Sequence, residues 1–134
     1  MRVLVTGSRT WSRSVFIWTR LYELAIHAYS EFDTGQTLTV VHGDCSKGAD
    51  RHARTWIQYQ ENKLWEPVTI IEEPHPADWK LGRRAGPIRN QHMVDLGADL
   101  CLAFMMPGSR GTADCVARAR AAGIETRVFG EESA

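Results

Sequence analysis

Leu100–Gly123, LCLAFMMPGSRGTADCVARARAAG, is the stretch whose reading decides the fold. It opens as a short apolar strand, Leu100 to Phe104, passes through a loop carrying Pro107, Gly108 and Gly111, and continues as a helix from Thr112 to Ala122, with Gly123 at its end. Thr112 is the expected cap. The first N–H groups of a helix have no intrahelical acceptor and carry the positive end of its dipole, so a strand–Gly-rich loop–helix unit makes a ready anion site. The plainer reading of the same residues is a tight connection with a threonine cap.

Two more glycine turns stand at matching places, Thr6-Gly7-Ser8-Arg9 after the strand Arg2–Thr6 and His42-Gly43-Asp44 to Gly48-Ala49-Asp50 after the strand Leu38–His42. Between them a helix from Ser12 or Ser14 to about Phe32 is expected, with Val15, Trp18, Leu21, Tyr22, Ala25, Ile26 and Tyr29 on one face. Ala49–Glu61 reads as a second helix packed through Ala53, Trp56, Ile57 and Gln60, and Val68–Ile71 as a third strand. Glu72–Pro87 holds Pro74, Pro76, Gly82, Gly86 and Pro87 and is expected to be a loop. A helix over Ile88–Leu96 stopped by Gly97, a fifth strand Thr126–Phe129 and a polar tail from Gly130 complete the chain. Strands alternating with helices imply one α/β domain over residues 1–134, a three-layer sandwich around a mostly parallel five-stranded sheet. The expected strand order is 3-2-1-4-5, with the turns at Gly7 and Pro107-Gly108 flanking the switch point where ligands bind.

Bulk properties narrow the classes. The chain has 134 residues, 43% apolar and 24% charged, with 16 basic against 16 acidic side chains. That is the composition of a soluble globular domain, and a net charge of zero does not indicate a nucleic-acid partner. The apolar runs fall far short of the ~20 residues that span a bilayer, and no signal peptide is expected before the first strand. Cys45, Cys101 and Cys115 form neither a disulfide framework nor a zinc motif, which fits a reducing cytoplasm. The histidines His27, His52, His75 and His92 show no metal spacing, so no metal or cofactor is expected. Trp18, Tyr22 and Tyr29 offer a surface for a homo-oligomer, and core packing explains them equally well.

The candidate ligand contacts gather at the strand ends. Pro107, Gly108, Ser109, Arg110, Gly111 and Thr112 can hold a phosphate through backbone N–H groups, hydroxyls and a guanidinium. Gly7, Ser8 and Arg9 face the same edge, without the GxGxxG spacing of a dinucleotide fold. Gly43, Lys47 and Gly48 can add phosphate or ribose contacts, and Asp50 can cap its helix or bind a ribose hydroxyl. Asp78 and Trp79 offer a carboxylate and a stacking ring, and Trp79 can equally pack under its loop. Arg89 and Asn90 begin a helix, where a guanidinium suits a phosphate. Asp114, in the expected first turn of the last helix, is either a residue favoured by the dipole or an acid/base beside a sugar.

Taken in order, Gly7-Ser8-Arg9-Thr10-Trp11, His42-Gly43 with Lys47-Gly48-Ala49-Asp50, Pro76-Ala77-Asp78-Trp79, Gly86-Pro87-Ile88-Arg89-Asn90 with Met93, and Gly111-Thr112-Ala113-Asp114 resemble the YspA branch of the SLOG superfamily, from Val3 to about Val128. The resemblance implies a Rossmann-like fold and a nucleotide or nucleotide-derived ligand. The superfamily includes the Lonely Guy phosphoribohydrolases and the DNA-processing protein DprA. Against the Lonely Guy loop PGGxGTxxE, this chain has Ser109 for the second glycine and Asp114 where the catalytic Glu stands. Arg89 in Arg89-Asn90-Gln91-His92-Met93 aligns with the catalytic Arg of the RKxxM helix. The implied activity is hydrolysis of the N-glycosidic bond of a nucleoside monophosphate, with Arg89 and Asp114 catalytic. The implied alternative is a non-catalytic sensor or sponge of a nucleotide signal in phage–host conflict.

Overall fold

In a computed structural model, residues 1–31, 36–61 and 68–130 are described, the side chains of residues 29–31 and 61 excepted. Their order is β1 (Arg2–Gly7), α1 (Ser14–Glu31), β2 (Thr37–His42), α2 (Gly48–Glu61), β3 (Thr69–Pro74), a 3₁₀ segment (Trp79–Arg84), α3 (Ala85–Asp95), β4 (Leu100–Phe104), α4 (Arg110–Ala121) and β5 (Thr126–Phe129). The sheet runs β3-β2-β1-β4-β5 as expected, and every pairing is parallel. The turns after β1 to β4 therefore lie along one edge of the sheet.

Both faces of the sheet are covered, and the two-residue period of the strands sorts the core. Val3, Val5, Val40, Leu100, Leu102 and Phe104 pack against Ile17, Leu21 and Ala25 of α1 and Ala53, Trp56 and Ile57 of α2. Leu4, Val41 and Cys101 point the other way, against Met93 and Val94 of α3 and Cys115 and Ala119 of α4. Burying a side chain such as Ile57 contributes about 1.5–3 kcal/mol. Among the described residues, no helix is long and apolar enough to cross a membrane.

Several expectations change. The buried stripe of α1 is Ile17, Leu21, Ala25 and Ala28, while Val15 and Ile26 are 67% and 54% exposed. Trp18 is tied into the body by its indole N–H, which donates to the His52 carbonyl at 2.8 Å, and Tyr22 meets Trp56 edge-on. Core packing thus accounts for both rings. The side chain of Tyr29, the α1 end expected near Phe32 and residues 131–134 of the expected tail lie outside the described residues.

β3 continues to Pro74 instead of ending at Ile71, so Glu72 and Glu73 belong to the edge strand. The expected loop to Pro87 is largely helical. α3 begins at Ala85, three residues before Ile88, because Gly86 and Pro87 fall in its first turn, where a missing N–H costs nothing. α4 likewise begins at Arg110. Its cap position is Ser109, Thr112 lies inside the helix, and Asp114 is past the first turn. Dipole stabilisation of Asp114, which falls off within that turn, is correspondingly weak.

Candidate functional site

At the carboxyl edge of the sheet the three glycine turns meet. The Ser8 N–H donates to the Phe104 carbonyl at 2.9 Å, and the Ser8 carbonyl accepts from Ala49 at 3.1 Å. The β1 turn is thereby wedged between the end of β4 and the start of α2. Gly48 makes this approach feasible. Its φ is +69°, and a Cβ there would stand 2.1 Å from the Ser8 carbonyl oxygen. Gly7 is crowded in the same way, by Ala49 and Phe104. Ser8 is buried with its hydroxyl on Thr10, whereas Arg9 is exposed.

Below the second turn lies a polar network. The buried His42 accepts at Nδ1 from the Asp44 N–H at 3.0 Å, so Nε2 carries the proton and donates to Glu72 at 2.8 Å. Arg54 donates to Glu72 at 2.8 Å and pairs with Asp44. Burial opposes ionisation of Glu72, but Arg54 and His42 outweigh it and hold the carboxyl below its ordinary value. Asp50, in the first turn of α2 and 7% exposed, accepts from the Cys45 N–H at 3.2 Å. Burial pushes its carboxyl up, against the pull of His42, the Cys45 N–H and Arg89. Asp50 thus ties down the 43–48 loop from beneath, while Lys47 stands exposed on it.

α3 joins this loop to the last one. Arg89 donates from Nη1 to the carbonyls of Gly43 at 2.5 Å and His75 at 3.3 Å, and from Nε to Asn90 Oδ1 at 2.9 Å. Asn90 is 4% exposed and uses its Nδ2 on the Gly111 carbonyl at 3.2 Å and Asp114 Oδ2 at 3.1 Å. It is the link between Arg89 and Asp114. Asp114 also accepts from Arg118 at 2.9 Å. Burial works against its charge, but Arg118 and Asn90 prevail and keep the carboxyl below its usual range. Asp114 is therefore a carboxylate at neutral pH, suited to stabilising positive charge or accepting a proton.

The 107–112 loop is open. Pro107, Gly108, Arg110 and Gly111 are exposed, and the buried Thr112 hydroxyl meets Ser109 Oγ at 2.9 Å. Gly108 has a φ of +78°. Gly111 has no positive φ, and a Cβ on either would meet nothing within 4 Å. Above the β1 turn, Trp79 is 57% exposed with the Arg9 guanidinium 5.6 Å from its ring, and Asp78 Oδ1 accepts from the Lys80 N–H at 3.2 Å.

The structure thus gathers the expected residues along one edge, and it adds Arg54, Glu72 and Arg118, which the sequence reading did not single out, and His42, Asp44 and His75, to which it gave no ligand role. Only Arg118, four residues after Asp114, carried a local signal. Two depressions in the surface lie beside this edge. One of about 690 Å³ runs along residues 12–16 with Thr19 and Arg20. Another of about 480 Å³ lies between α3 and α4, and Gln91, Asp114 and Arg118 reach it.

A model of the YspA, cpYpsA-related SLOG family matches residues 1–82. The chain belongs to that family. The match takes in β1 to β3 and the first part of the 3₁₀ segment, and so includes the first two glycine turns. The SLOG chain is also similar to the Gene 61 protein of Mycobacterium phage D29, at 40% identity over 133 residues, 98% of each chain. That similarity runs through α3, β4 and α4. No solved structure matches.

Proposed function

We propose that this SLOG protein binds a nucleotide or nucleotide-derived ligand at the carboxyl edge of its sheet. Phosphate would rest on the N–H groups of the 108–112 loop beside Arg110, with base or ribose against Arg9, Asp78 and Trp79. The observation that carries this reading is Gly111. Glycine inside a helix costs roughly 0.5–1 kcal/mol relative to alanine. At Gly7 and Gly48 the protein's own packing accounts for the missing side chain, but at Gly111 neither backbone angle nor a neighbour requires it. Close approach of a ligand to the backbone is a use that fits this position.

Hydrolysis of an N-glycosidic bond is the finer form of the proposal. Arg89 and Asp114 are joined through Asn90, so the guanidinium can orient phosphate or sugar while the carboxylate stabilises developing positive charge or activates water. A second reading, a sensor or sponge without turnover, is favoured by a specific observation. Arg89 Nη1 and the Asp114 carboxylate are both occupied by protein partners. Incubation with nucleoside monophosphates tests the two. Free base with ribose 5-phosphate supports hydrolysis. Retention of intact ligand supports the sensor, and neither outcome would remove the proposal.

A further inference from the structure

The chain is neutral in sum but not in distribution. At the carboxyl edge the carboxylates are engaged: Asp44 and Glu72 by Arg54, Glu73 by Arg2, and Asp114 by Arg118, with Asp50 buried under its loop. Asp78 accepts from a backbone N–H. Six cations at the same edge, Arg9, Lys47, Lys80, Arg83, Arg84 and Arg110, are exposed, and among the described residues none has an ion-pair partner. Half of them sit on the 3₁₀ segment Trp79–Arg84, which buries no residue at all. The chain passes from the end of β3, at the sheet margin, to Arg9 after β1, which Trp79 at the start of this segment meets, and the segment then leads into α3. It is a cationic strap over the edge, with an exposed indole at its start.

Uncompensated cations held close together repel one another and gain from an anion. Arg110 and the 108–112 loop already serve one phosphate. β4 adjoins β1, with Gly7 paired to Phe104, so the turn that holds Arg9 and the loop after β4 leave neighbouring strands at the same edge. A nucleotide with its phosphate at Gly111 reaches Arg9 and Trp79 with its base, and what lies beyond the base meets Lys80, Arg83 and Arg84.

We infer that the ligand carries a second phosphate, one nucleoside unit from the first, and is therefore of the 5′-phosphorylated dinucleotide class. This rests on the nucleotide reading above and narrows it. The nucleoside monophosphate is the part held at the 108–112 loop, and the strap holds the rest.

The test is calorimetric titration of the full chain with the four ribonucleoside 5′-monophosphates and with pApA, pGpG, pCpC and pUpU, repeated across a salt series. A second protein carries Arg83→Gln and Arg84→Gln, both on exposed side chains away from the polar network. The expected result is a dinucleotide that binds about tenfold tighter than its monophosphate, with a steeper salt dependence. The double variant loses this advantage and keeps the monophosphate affinity. Equal affinities for monophosphate and dinucleotide, or an advantage that survives the double substitution, overturn the inference and leave the nucleotide reading standing. A longer single strand that binds far more tightly than any dinucleotide also overturns it, in favour of a polynucleotide surface. Failure of every probe to bind removes the nucleotide reading and the inference together.

Discussion

Arg89 and Gly43, 46 residues apart, are in direct contact: Nη1 of the arginine donates to the glycine carbonyl at 2.5 Å. A Cβ on Gly43 would stand 2.5 Å from that nitrogen and 2.7 Å from Cζ. The absence of a side chain at the end of β2 is thus what lets the guanidinium of α3 seat against the loop and reach on to His75. The proposed phosphate-orienting group is held by a glycine that had itself read as a ligand contact.

Gly43→Ala is therefore expected to push the guanidinium of Arg89 aside and destabilise the fold by about 0.5–1.5 kcal/mol, the net worth of the hydrogen bond lost. Urea unfolding measures the loss. Nucleotide binding should weaken as well, since the 43–48 loop and α3 shift together. A variant as stable as the wild type would show that Arg89 is not locked in this way.

Gly111→Ala should behave in the opposite manner. With open space around a Cβ and no positive φ, the substitution is expected to raise stability by roughly 0.5–1 kcal/mol. Binding should weaken by about 1–3 kcal/mol as the methyl meets the ligand. Thermal unfolding and titration on one sample read both effects. Unchanged affinity would take Gly111 out of the site.

Asp114→Asn separates the enzyme from the sensor. Its i,i+4 pair with Arg118 is partly exposed and screened by solvent, so the fold should be nearly unaffected. If the wild type releases free base, the variant should lose a hundredfold or more in turnover, on the order of general acid–base effects, and keep its affinity. Equal turnover in both proteins would remove Asp114 from the chemistry.

Acid should weaken the protein through Glu73. The Arg2 guanidinium, against the opposing effect of burial and with help from His75, holds its carboxyl down to about 2, from an ordinary 4.5. The unfolded chain takes up this proton first, so the contribution is present above about pH 4.5 and disappears as pH falls toward 2. The pair is partly solvent-exposed, so solvent screening reduces it to about 1 kcal/mol. Asp50 has the reverse sign. Burial raises its pKa, so its charged form costs stability near neutrality, and protonation relieves that cost as pH falls. Glu73→Gln should flatten the acid limb of the stability profile in urea titrations between pH 5 and 2. An unchanged limb would show that other carboxylates set it.

The parallel sheet was legible because short apolar runs alternate with helical stretches, and the glycine turns after β1 and β4 pointed to a switch point between those strands. The face of α1 was misread because Val15 and Ile26 extend the apolar period to the wrong side of the helix. α3 was read too short because Gly86 and Pro87 are breakers everywhere except in a first turn, where they stand. In the site, the glycine turns were visible, but their division of labour was not. Whether Gly48 answers to Ser8 or to a ligand depends on a contact across 40 residues. The His42–Glu72–Arg54–Asp44 network was hidden for the same reason. His42 closes an apolar strand, and its partner lies on the neighbouring strand 30 residues away.

Equilibrium dialysis of the full chain against a mixed panel of nucleotides, nucleoside monophosphates and dinucleotides, with mass spectrometry of both chambers and Gly111→Val as the control, tests the central claim most directly. The account predicts that at least one compound is enriched on the wild-type side, or cleaved there to free base and ribose 5-phosphate, and that neither effect survives in the folded control. No enrichment and no cleavage for any compound, or the same enrichment with Gly111→Val, would contradict it.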